Sequence, residues 1–116
     1  MITEKLRELV AEKIRTEFMD SAAVGQGGNN TNPVSGTLDA SLGINITPQT
    51  SASTGSVIEA KLSVGGSALN SNIIREVGIF DNATPTANMI QRINFDAIGP
   101  ISTTDTLEII ILMEVE

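Results

Sequence analysis

The chain of 116 residues contains 14 acidic and 7 basic side chains, which give a net charge of −7, and it has neither Cys nor His. The negative net charge argues against a nucleic-acid partner, because affinity for phosphates rests on Lys and Arg. Without Cys the chain has no disulfides and no thiolate ligands, and without His it lacks the commonest general base. The longest aliphatic run, Ile109–Met113, is far shorter than the roughly 20 residues of a membrane span, so the sequence predicts one domain, 1–116, with no cofactor and no membrane partner.

Residues 1–20 form the predicted N-terminal helix. Its apolar side chains recur at spacings of three and four and fall on one stripe: Leu6, Leu9, Val10, Ile14 and Phe18. Thr3 is the predicted N-cap. A coiled coil is not expected, because a heptad that begins with Leu6 and Leu9 places Lys13 and Thr16 at the next core positions. We therefore expect the helix to pack on its own domain or on a neighbouring subunit.

Residues 21–55 are rich in Gly, Asn, Ser and Thr, and they are predicted to be a polar loop region. The GQGG stretch at 25–28 is interpreted as a turn, because it follows a helix and lacks the terminal Lys of a phosphate-binding loop. The short apolar stretch LGINI at 42–46 is a candidate strand.

Residues 56–116 are predicted to form an antiparallel β core. Turn-forming segments separate four candidate strands at 56–64, 73–80, 88–95 and 106–115. Alternation is clearest in the first, where the apolar residues of one face are Ile58, Ala60, Leu62 and Val64. The predicted fold class is mainly β, with an N-terminal amphipathic α-helix followed by a small antiparallel β-sandwich.

The last candidate strand is apolar on both faces. Ile110 and Leu112 lie on one face, between Glu108 and Glu114, and a second set of apolar residues occupies the other. Such a strand is either covered within the chain or used between subunits. Burial under the helix and self-association are both expectations for this face.

The stretch IIREVGIFD at 73–81 places a charged pair within an apolar run. Arg75 and Glu76 point to opposite faces of a strand, so each needs a partner on its own side. Arg92 is a candidate partner for Glu76, and an acid of another subunit is one for Arg75. The alternative is that both are solvated at a sheet edge. Gly78 is expected to allow a bulge or the close approach of a neighbour.

Catalysis is not expected from this sequence. Its acidic residues in the β region are scattered, and neither His nor a basic cluster accompanies them. DNATPT at 81–86 supplies only the first pair of a calcium loop and is interpreted as a turn. An enzyme or a carbohydrate-binding module is therefore the least supported class, and no catalytic, cofactor or metal residue is predicted.

The order of short motifs along the chain resembles the N-terminal domains of tail-fibre and tail-collar proteins of tailed bacteriophages. In that family a helical start precedes glycine-rich and strand segments, one of which contains an E-V-G-I/L-F-D motif. The matching pieces in this sequence are Ala23–Gly28, Thr37–Leu42, Glu76–Asp81, Arg92–Phe95 and Leu107–Val115.

The resemblance implies a virion structural protein, assembled in the host cytoplasm, that binds copies of itself and other virion proteins. A trimer is the favoured assembly, at a tail, fibre, collar or baseplate. Such domains usually precede a long fibre, whereas this chain stops at Glu116, so a capsid decoration protein or the base of a head fibre or turret is the alternative. The expected contact residues are Leu6, Val10, Ile14, Arg75, Glu76, Ile110 and Leu112.

Overall fold

A helix followed by antiparallel β-sheets makes up most of the computed structural model, which describes residues 1–32, 36–54, 56–82 and 88–115. The mainly β prediction is confirmed. In chain order the elements are α1 (Glu4–Glu17), β1 (Ser21–Gly25), β2 (Ser41–Ile46), β3 (Gln49–Thr54), β4 (Val57–Gly65), α2 (Gly66–Leu69), β5 (Ile74–Phe80), β6 (Met89–Ile98) and β7 (Thr106–Glu114). Within the described ranges, neither helix is long and apolar enough to cross a membrane.

The strands form two sheets. One has four strands in the order β2-β1-β5-β6, and the other has three in the order β3-β4-β7. Every pairing is antiparallel. β7 therefore lies at an edge of the three-stranded sheet, with β4 on one side of it.

The larger of two apolar clusters joins the two sheets, as in a small β-sandwich. The alternating residues of β4 are buried as predicted, and Ile58, Ala60 and Leu62 have no exposed surface. They belong to the same cluster as apolar residues of the four-stranded sheet, including Val24 and Ile79. Burial of these side chains is the main force that holds the sheets together.

Helix α1 contacts β3 and β4 and begins as predicted, with the Thr3 hydroxyl accepting a hydrogen bond of 3.2 Å from the N–H of Leu6. Ala11 is fully buried and Ile14 packs against the core, whereas Leu6, Leu9 and Val10 are exposed. The stripe predicted to pack on the domain is thus only partly used. The small side chain of Ala11 faces the core, and Leu6 and Leu9 face solvent.

The prediction of a polar loop region at 21–55 was wrong for much of its length. β1 occupies the centre of the four-stranded sheet, and all five of its residues are buried. A strand covered on both faces shows no alternation, so its composition resembled a loop. β3 is a polar edge strand, which was missed for lack of apolar residues. The candidate strand at 42–46 is confirmed as part of β2.

The remaining predicted strands are confirmed with small changes of boundary. β5 begins at Ile74, β7 ends at Glu114, and β6 continues past its predicted end to Ile98. Register shifts interrupt the pairing of β5 with β6 at two places, so β6 is the less regular strand of the pair.

Candidate assembly surface

The buried carboxylate of Glu76 anchors the segment that follows β1. Its side chain has 0% exposed surface. Oε2 accepts hydrogen bonds from the N–H groups of Gly27, at 2.7 Å, and Ala40, at 3.0 Å. Oε1 accepts one from the N–H of Asp39, also at 3.0 Å. Because its oxygens accept hydrogen bonds from Gly27 and from Asp39, this carboxylate holds both ends of the 27–39 segment against the middle of β5.

Arg92 supplies the charge that accompanies Glu76. Its Nη1 lies 3.5 Å from Oε1 of Glu76, and its side chain is only 10% exposed. Its Nη2 donates a hydrogen bond to the carbonyl oxygen of Thr37. The suggestion that Arg92 is the partner of Glu76 is therefore confirmed, and the alternative of a solvated Glu76 is wrong.

Two glycines make room for this carboxylate. A Cβ at Gly25 would lie 2.6 Å from Oε2 of Glu76, and one at Gly27 would lie 2.5 Å from the same atom. Gly78 plays a similar part farther along β5, where a Cβ would meet Phe80 at 2.9 Å and Leu38 at 3.2 Å. The close approach expected at Gly78 is thus observed, because the side chains of Phe80 and Leu38 lie where its Cβ would be.

Four of the five motif pieces quoted from the sequence meet at this carboxylate. Gly27, the pair Asp39 and Ala40, Glu76 and Arg92 come from separate segments of the chain. Apart from the expected pairing of Glu76 with Arg92, their spacing along the sequence gave no sign of this cluster. It could have been suspected from the rule that a buried carboxylate needs several donors, and glycines supply room for backbone N–H groups to approach.

The burial of Glu76 corrects its predicted role as a contact residue. With no exposed surface, it cannot touch another subunit or virion protein in this fold. Arg75, the next residue, is exposed on the other side of the strand, as the alternation predicts. Whether Arg75 has a partner on another subunit stays a prediction.

The outer face of the three-stranded sheet is the strongest candidate for a contact. We define it by the outward side chains of β7 and by their neighbours on β4: Glu108, Ile110, Leu112, Glu114, Glu59 and Lys61. Ile110 is 59% exposed and Leu112 is 64% exposed. Burial under α1, one of the two expectations for this face, is therefore wrong: the helix instead places Ala11 and Ile14 against the core.

Charged side chains surround the apolar pair on the outer face. Glu108 and Glu114 flank Ile110 and Leu112 along β7, and Glu59 lies directly opposite Leu112. Lys61 is the one cation among these residues, and its Nζ lies 3.3 Å from Oε1 of Glu108. The outer face therefore presents an apolar centre within an acidic border.

The predicted contact residues of α1 are divided between two faces. Leu6 and Val10 are exposed, together with Leu9, which was not selected as a contact residue from the sequence. Ile14 is half-buried against the core and belongs to the folded domain. The structure thus brings Leu6, Leu9 and Val10 together on one exposed helical face.

Among the described residues, no group of three or more acidic, His or Cys side chains could hold a metal ion. A surface depression of about 480 Å³ is lined by amide side chains, including Asn30 and Asn94, beside Met89 and Arg92. The Asn94 amide donates a hydrogen bond of 2.7 Å to the carbonyl oxygen of Asn30, so this polar group helps to hold the loop on the sheet.

Comparison with known proteins returned no matching family model and no matching curated protein.

Proposed function

We propose that the chain is a non-enzymatic structural protein of a bacteriophage virion, an oligomeric attachment or adaptor module of a tail, fibre, collar or baseplate. The observation that carries the self-association in this proposal is the exposure of Ile110 and Leu112 on an edge strand. Placement in a virion rests on the resemblance of the sequence motifs.

The outer face has the chemical character of a protein contact. Ile110 and Leu112 lie side by side, and more than half of the surface of each side chain is exposed to water. Burial of this apolar surface against a partner would lower the free energy. An apolar centre with a polar border is also the usual composition of a protein interface. β7 is also an edge strand of the described three-stranded sheet, and an edge strand can pair with a strand of another chain.

The environment of Glu76 supports a structural role for this acid over a chemical one. Glu76, which is buried, is occupied by three backbone N–H groups and Arg92. A carboxylate held in this way organises the fold and has no free position for a substrate. We therefore assign the activity of the protein to shape and buried apolar area.

Cryo-electron microscopy of the parent virion tests the location. The proposal expects density for this fold at the tail, collar, fibre base or baseplate, in a small number of copies around the tail axis. Density spread across the head shell would contradict it and favour a capsid decoration protein. Absence of the chain from purified virions would overturn the virion role altogether.

A further inference from the structure

We infer that the outer face of the three-stranded sheet receives helix α1 of a second copy of this chain. The inference rests on the proposed self-association and names the two surfaces that meet. The part of α1 that makes this contact is an exposed row of side chains, which we call the helix row. It consists of Lys5, Leu9 and Lys13, with Leu6 and Val10 beside them.

The helix row faces away from its own domain. Lys5, Leu9 and Lys13 recur every four residues, so they lie on one side of the helix, one above another. Leu9 is 57% exposed. Both lysines are exposed, and each forms an ion pair within α1, Lys5 with Glu8 and Lys13 with Glu17. Exposed pairs of this kind contribute little, so the ammonium groups are available to other carboxylates.

The outer face carries the complementary order of side chains. Along β7 its residues run acid, apolar, apolar, acid, from Glu108 through Ile110 and Leu112 to Glu114. The helix row runs base, apolar, base. When Lys5 and Lys13 each lie near one of the two glutamates of β7, the leucines of the helix row therefore contact Ile110 and Leu112.

The dimensions of the two surfaces agree with this pairing. Lys5 and Lys13 are about 12 Å apart along a helix that rises about 1.5 Å per residue. Glu108 and Glu114 are about 20 Å apart along a strand that rises about 3.3 Å per residue. The flexible four-carbon stems of two lysines can cover the difference of about 4 Å at each end.

Charge also selects the helix over a second copy of the outer face. α1 contains four acidic and four basic side chains, so the surplus of seven negative charges lies in the rest of the chain. Two outer faces in contact would bring Glu59, Glu108 and Glu114 of each copy together, with one Lys61 per copy to offset them. An antiparallel pairing of β7 with its copy about Ile111 would set Glu108 opposite Glu114, a destabilising arrangement.

A contact between two different surfaces has a consequence for symmetry. Each copy offers one helix row and one outer face, so copies add head to tail and close into a ring when the rotation allows. A closed trimer would leave neither surface exposed.

Disulfide trapping between copies tests the inference, and the chain contains no Cys that could interfere. One preparation carries Leu9→Cys and the other carries Leu112→Cys, both at exposed positions, so both variants should fold with native circular dichroism. After mixing and mild oxidation, the inference expects a covalent dimer of one chain of each type. Each variant oxidised alone should give at least tenfold less dimer. A Leu9→Cys mixture with Ser41→Cys, on an exposed edge of the other sheet, serves as the control.

Three results would overturn the inference. Dimer from Leu112→Cys alone, at the yield of the mixture, would mean that two outer faces meet each other. Oligomeric wild-type protein with no enrichment of the mixed dimer over the control would mean that self-association uses other surfaces, with the proposed function intact. Wild-type protein that has the mass of one 12.2 kDa chain at every concentration tested would overturn both proposals together.

Discussion

Oε1 of Glu76 lies 3.5 Å from Nη1 of Arg92, within a site where Glu76 is fully buried and Arg92 nearly so. Each charge depends on the other, because neither reaches enough water to be solvated alone. The three backbone N–H groups on the same carboxylate extend this dependence to the loop that follows β1.

Replacement of this acid should strongly destabilise the fold. Glu76→Ala leaves Arg92 and three N–H groups without their carboxylate, and breaking a buried pair in this way costs about 3–5 kcal/mol. Glu76→Gln, which keeps the shape and one acceptor oxygen, should cost less. The free energy of unfolding in urea measures both. Asp96→Ala is the control, since this charge is exposed and its loss should change stability by no more than about 0.5 kcal/mol. Equal losses of stability at the two positions would refute the claim that the Glu76 carboxylate stabilises the fold.

A methyl group at Gly27 should also destabilise the fold. Its Cβ would lie 2.5 Å from Oε2 of Glu76 and 2.6 Å from Cβ of Asp39, so the carboxylate must shift. Such overpacking costs about 1–3 kcal/mol. Gly36→Ala is the control, because a Cβ there meets nothing within 4 Å and its backbone lies outside the left-handed region. Thermal unfolding of both variants measures the difference, and a Gly27→Ala protein as stable as Gly36→Ala would contradict it.

Asp81 should make stability depend on pH at the acid end. Its carboxylate accepts hydrogen bonds from the Asn88 side-chain amide, at 2.9 Å, and from the Asn88 N–H, at 2.8 Å. The side-chain bond is the larger cause and the backbone bond the second, and together they lower the pKa of Asp81 below its ordinary value of 3.8. Because the pKa is lowered in the folded state, this contribution to stability is present above the unfolded pKa and is lost as the pH falls through the folded pKa.

Asp81→Asn isolates that contribution. The urea midpoint of the wild type should fall more steeply than that of the variant as the pH drops below about 4. The variant should lie below the wild type near neutral pH, and the two should converge in acid. Parallel curves for the two proteins would rule out a role for Asp81 in the acid dependence.

The sequence predicted those elements whose residues alternate between core and solvent. β4 is the clearest case, since Ile58, Ala60 and Leu62 are buried and Ser63 is exposed. β1 was not predicted because both of its faces are buried, with Ala22 and Val24 in the larger apolar cluster and Ala23 in the smaller one. Its residues are small because both faces are closely packed, and hydrophobic periodicity does not detect this property.

The candidate surface was predicted in part. The sequence showed that β7 is apolar on both faces, and this led to Ile110 and Leu112. Whether α1 covers these two residues or leaves them exposed depended on the orientation of the helix. The helix is turned so that Ala11 is buried in the core cluster, a tertiary effect that the apolar stripe did not reveal. The role of Glu76 was mistaken for a related reason, because its donors come from segments distant in the chain.

Light scattering on wild-type protein and on Ile110→Asp tests the central claim, self-association through the outer face, most directly. The wild type should have the mass of an oligomer at micromolar concentration, with a trimer of 12.2 kDa chains favoured. Ile110→Asp should reduce that mass toward one chain while its circular dichroism stays native, because residue 110 is more than half exposed in the single chain. Ser41→Asp, which adds the same charge to an exposed edge of the other sheet, should leave the mass unchanged. A wild-type monomer, or an Ile110→Asp oligomer of undiminished mass, would contradict the account.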